Sequence, residues 1–182
     1  MANVNDISNF FIDLALKSEN DLMTNLRLNK LLYFAQAMSL VKTNTPIYND
    51  EIEAWAYGPV VPQIYNKYKK YGRKDIDEID EKYTSDVFSP NELDILFDTI
   101  NAYDKYSTGE LVRLTHIKGS PWDIAFNVKN DKIISKDDIK NYYEKNIVID
   151  DFKVDKLYAS VPCFERDENG VLIIPKGSEY AD

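Results

Sequence analysis

Cysteine and histidine are almost missing from this chain: Cys163 and His116 stand alone among 182 residues. A single thiol excludes an internal disulfide, and one imidazole beside one thiol cannot assemble a Cys/His zinc site. Glycine is scarce at six, and neither a phosphate-binding glycine loop nor a G-x-S-x-G or H-E-x-x-H pattern occurs. No apolar run approaches the roughly 20 residues of a membrane-spanning helix. The start, MANVNDISNF, lacks the basic residues and apolar stretch of a secretion signal. These absences lead us to expect a soluble cytoplasmic protein, not an enzyme, with no cofactor and no metal.

What is present reads as one globular body. Apolar residues make up 44% and charged residues 29%, a balance that supports a packed core rather than disorder. The net charge of −9 is unevenly placed. Residues 75–104 hold ten acids against Lys82 alone, a balance equal to that of the whole chain, so the remainder is neutral. Just upstream, YNKYKKYGRK carries five bases. Such runs are usually solvated surface, but clustered charge also speeds and orients encounter with an oppositely charged partner. Asp75, Asp77, Glu78, Asp80 and Glu81 are therefore candidate partner-binding residues, facing a partner with a basic surface.

Periodicity predicts a mostly α fold (α+β), with a helical domain over 1–150 and a C-terminal hairpin extension over 151–182 packed on it. Ile7, Phe10, Phe11, Leu14 and Ala15 share one face of a helix over about 5–17. After Thr24 as N-cap, NLRLNKLLYFAQAMSLVKT runs without Gly or Pro and is apolar around most of its circumference, so it should be central. EIEAWAY alternates as a short strand, which Gly58-Pro59 is expected to stop before a third helix over about 60–71 with Pro62 in its first turn. Ser89-Pro90 opens a helix whose inward face is Leu93, Leu96, Phe97, Ile100 and Tyr103; Ser107 or Thr108, Ser120 and Ser135 open three more. Beyond 150, apolar runs flank Asp167-Glu168-Asn169-Gly170, a turn signal that predicts a β-hairpin at 157–175.

No constellation reads as catalytic. His116 lacks a visible partner and nucleophile, and the carboxylates of DIDEID fall on no predicted strand. Tyr65, Tyr68 and Tyr71 interleave with Lys67, Lys69 and Lys70, a mix that stacks bases and neutralises phosphates. The same spacing also fits a helix face packed inward, and the overall acidity opposes a polyanion. Direct nucleic-acid binding is not the expectation.

Three blocks carry a resemblance. TNLRLNKLLYFAQAMSL, then IYNDEIEAWAYGPVVPQIYNKYKKYG, then LTHIKGSPWDIAF occur in the order seen in the Panacea (SocA-like) domain, across about residues 5–145. The matching positions are Leu28, Lys30, Leu31, Leu32, Tyr33, Ala35 and Gln36 in the first block. In the second they are Glu53, Trp55, Tyr57, Gly58, Pro59, Val60 and Tyr65, and in the third Thr115, His116, Pro121 and Trp122. Asn29 departs from the pattern, standing where glutamine is common. The resemblance implies an antitoxin of a type II-like toxin–antitoxin module, often prophage-borne, that neutralises a cognate protein toxin by direct binding. Two alternatives stay open: a phage-encoded acidic inhibitor of host defence, and a DNA-binding autoregulator acting through the 65–74 helix. Trp55 and Tyr57 are read as core, and partner recognition is expected in the acidic 75–104 segment and the hairpin.

Overall fold

A computed structural model describes residues 1–18, 23–79, 82–129 and 132–146. The expected hairpin at 157–175 and the extension over 151–182 lie outside the described residues, as do Asp80 and Glu81. Within them the chain is mostly helical, with one two-stranded antiparallel sheet.

Helix α2, Asn25–Thr43, is the axis of the fold. Thr24 caps it by accepting a hydrogen bond from the Arg27 amide, and Asn44 ends it in the left-handed conformation at φ 58°. Every residue from Asn25 to Leu40 is buried. The reason is in the sequence: a helix apolar around most of its girth must be surrounded. Helices α1 (Val4–Lys17), α3 (Pro62–Tyr68), α4 (Pro90–Tyr103), α5 (Thr108–Thr115) and α7 (Lys136–Asn146) all pack on it. Between α5 and α7, Pro121–Asp123 forms a single turn, α6, which continues as a π-helical turn over Ile124–Lys129. The main core gathers α1, α2, α4 and α7, with Phe34 stacked on Tyr103 at 4.0 Å between ring centroids. No helix among the described residues is long and apolar enough to cross a membrane.

Serine caps place the later helices. Ser89 and Ser107 each form a capping box, with Glu92 and Glu110 returning the bond to the serine amide. Ser120 caps α6, and Ser135 accepts from the Asp138 amide at the start of α7.

Two expectations need correction. Gly58-Pro59 does not end the strand and lead into a helix. It belongs to β2, Gly58–Val60, which pairs antiparallel with β1, Glu53–Trp55, across a two-residue turn at Ala56-Tyr57. Proline is tolerated because Ala54↔Pro59 is a pair without ladder hydrogen bonds: the Ala54 amide points the other way, to the Lys132 carbonyl at 2.6 Å. The helix then starts at Pro62 rather than 60. Phe97 is also not inward. It is 47% exposed, with its ring edge-on to Phe10 at 5.3 Å, while Ile95, Leu96, Thr99 and Tyr103 form the buried face of α4.

Candidate functional site

The three sequence blocks meet at one place, the β1–β2 hairpin where it rests on α2 and α5. From below it is held by polar side chains on an otherwise apolar helix. Lys30 is fully buried, and its Nζ donates to the Pro59 carbonyl at 2.7 Å. One residue earlier, Asn29 accepts from the Val61 amide at 2.9 Å and donates to the Asn25 carbonyl; Asn25, one turn before it, donates to the Tyr65 carbonyl at 3.1 Å. Backbone groups of β2 and α3 that the hairpin cannot satisfy are thus paired from α2, which a buried amide or carbonyl requires. Gln36 does the same further along: its Oε1 accepts from the Ile47 amide at 2.9 Å and its Nε2 donates to the Tyr48 carbonyl at 3.0 Å.

Gly58 makes the close approach possible. Its φ is +101°, and a Cβ there would lie 2.7 Å from Thr115 Oγ1 and 3.0 Å from Lys30 Nζ. Only glycine combines that angle with that gap.

From the side, α5 and α6 bind the turn. Trp122 Nε1 donates to the Trp55 carbonyl at 2.8 Å. The His116 ring lies on Trp122, centroids 3.7 Å apart, with Nε2 at 3.1 Å from the Ala56 carbonyl and Nδ1 at 2.7 Å from the Val112 carbonyl. Burial pushes the imidazole pKa below its ordinary 6.5, and the two carbonyls pull it partly back. A neutral ring carries one proton and so donates to one of those carbonyls. Ser120 Oγ donates to the Thr115 carbonyl at 2.8 Å and so fixes the turn between His116 and Trp122.

On top lies a small second cluster, Leu26, Tyr57, Val60 and Val112, roofed by the half-buried Trp55 and Tyr65. Those two rings meet edge to face at 4.7 Å, and Trp55 Nε1 donates to Glu53 Oε2 at 2.7 Å. Beyond Trp122, Phe126 stacks at 4.9 Å and is 40% exposed.

The structure therefore brings together Lys30, Trp55, Tyr57, Gly58, Pro59, Tyr65, His116, Pro121 and Trp122. It places Leu31, Leu32 and Tyr33 in the main core and Gln36 against the 47–48 loop. His116 touches one hydroxyl, Thr115 Oγ1 at 3.1 Å, and Thr115 is buried with that hydroxyl donating to the Val112 carbonyl. Such a ring works as a strut between α5 and the hairpin. Among the described residues, no group of three His, Cys, Asp or Glu side chains could hold a metal ion.

The profile described as "Antitoxin SocA-like, Panacea domain" matches residues 28–123, a stretch running from α2 to the end of α6. The chain belongs to the Panacea domain family. One curated relative, "Antitoxin SocA" of Caulobacter vibrioides, is 32% identical over 132 residues, covering 66% of this chain and 69% of that protein. No solved structure matches the chain. The Panacea match spans the hairpin clamp from Asn29 and Lys30 to Trp122, with Asn25 just ahead of the matched stretch.

The acidic candidates lie elsewhere. Asp75 is half-buried, its backbone bridged to Thr24, and burial pushes its carboxyl pKa up. Asp77 and Glu78 are exposed, but Glu78 is engaged: Lys70 pairs with it, and the Lys70 and Tyr71 hydrogen bonds hold its pKa down. Sequence reasoning missed Asn25 and Asn29 as clamp residues. The available signal was two asparagines four apart in a helix otherwise read as buried.

Proposed function

We propose that this chain is an antitoxin that neutralises a cognate protein toxin by direct binding. One observation carries the reading: membership of the Panacea family, with a relative named as an antitoxin aligned over two-thirds of the chain. The site's chemistry supports it. Lys30, His116 and Trp122 direct polar groups at the chain's own backbone, so the shared residues build a rigid platform and partner choice falls to the surface around it. The net charge of −9 favours a partner with a basic surface.

The test is growth of cells expressing the product of the adjacent reading frame, alone and together with this chain. Arrest by the neighbour that this chain relieves, with co-purification of the two proteins, is the expected result. A neighbour whose toxicity persists despite stable co-expression defeats the reading.

A further inference from the structure

Beside the hairpin, where the chain enters β1 and where it enters α7, lies an open groove of about 240 Å³. Its floor is apolar: Ile52 and Ile134 are buried and Ile133 is 37% exposed. Two backbone hydrogen bonds fix its walls, Ile134 N–H to the Ile52 carbonyl at 2.8 Å and Ala54 N–H to the Lys132 carbonyl at 2.6 Å. Asp50, Glu51 and Asp137 stand on the rim. Among the described residues, none of the three takes part in an ion pair. Lys136, the one base lining the groove among the described residues, donates to the Asn49 carbonyl at 2.8 Å. Further along β1, the Glu53 carboxylate holds the Trp55 indole and likewise has no cationic partner among the described residues.

An apolar floor under unneutralised carboxylates suits a side chain that is aliphatic along its stem and cationic at its tip. We propose that this groove seats a lysine or arginine from a basic segment of the protein partner, with Glu53 and Trp55 extending the contact along β1. The proposal rests on the antitoxin reading and says where it acts. It also separates this surface from the 75–81 segment, where Glu78 is already paired with Lys70.

The test measures affinity for the neighbouring gene's product, purified as an inactive variant. Glu51→Lys with Asp137→Lys reverses the rim; Asp77→Lys with Asp86→Lys makes the same charge change on the acidic segment. Glu51→Lys alone is a second variant, because residue 51 lies outside any helix or strand. The rim variants should weaken Kd about tenfold or more and flatten its salt dependence, with the control pair within about threefold of wild type. Equal losses in both pairs would mean diffuse steering, and no loss at the rim would mean another docking face; either overturns the proposal. So does a rim variant that lowers the urea midpoint of the free chain while Kd is unchanged, since the groove would then hold this chain's own residues 147–182. If wild type itself does not bind, the antitoxin reading falls and the groove assignment falls with it.

Discussion

Lys30 shows how one buried charge is made tolerable. An ammonium taken out of water is costly unless its hydrogen bonds are met, and here a strand carbonyl that has no ladder partner meets it. Lys30→Met keeps the volume but leaves that carbonyl bare. The expected loss is about 1–3 kcal/mol by urea unfolding, and an unchanged midpoint would show the bond to be dispensable. Gly58→Ala should cost at least as much, because left-handed strain of about 1–3 kcal/mol adds to the overlap with Thr115 and Lys30. His116 gives a pH signature. Its pKa in the folded protein lies below 6.5, so between the two values the unfolded chain binds more protons and stability falls as pH drops. Wild type should therefore lose more stability between about pH 7.5 and about pH 5.5 than His116→Gln does. Parallel curves for the two proteins would refute the assignment.

At the scale of elements, local chemistry and packing take separate jobs. Helices α4 and α5 begin where Ser89 and Ser107 close capping boxes with Glu92 and Glu110. Ser89→Ala and Ser107→Ala are each expected to cost about 1 kcal/mol, read as a lower urea midpoint at constant slope. The hairpin works the other way. Two strands of three residues are too short to stand alone, and α2, α5 and α6 hold them through Lys30, Asn29, His116 and Trp122. Weakening Lys30 or Asn29, which leaves both tryptophans in place, should disturb the Trp55–Tyr65 contact first, visible as a change in tryptophan fluorescence before any loss of helix signal. Loss of both signals together would mean the hairpin is not a separable element.

For the whole molecule, the two core clusters draw, among the described residues, on every helix from α1 to α7. A chain ending at residue 150 is expected to unfold in one cooperative urea transition; a protein that precipitates, or melts without cooperativity, would place residues 151–182 in the core instead. The global charge acts at longer range. On the proposed antitoxin reading, its surplus of acids would draw a basic partner toward the molecule, and contact would be decided by the few carboxylates whose charge is not already matched.

Much of this was legible in the chain itself. Helix α2, the serine caps, the burial of Leu31, Leu32 and Tyr33, and the three family blocks follow from period, cap chemistry and motif, all local in sequence. Other features were not. Gly58-Pro59 reads locally as a breaker, and it sits in a strand where Lys30 of the distant helix α2 satisfies the Pro59 carbonyl. Phe97 has the right helical phase to be buried, yet the neighbouring helices pack on Ile95 and Leu96 instead. Which acids are free of a cation is likewise absent from the sequence, since pairing depends on what lies across space: Lys70 reaches Glu78, and no described cation pairs with Glu51 or Asp137. The sequence by itself determined the helices, the serine-capped starts among them, and the family. Tertiary structure alone decided the hairpin, the clamp beneath it and the groove at its side, because each depends on groups brought together from distant parts of the chain.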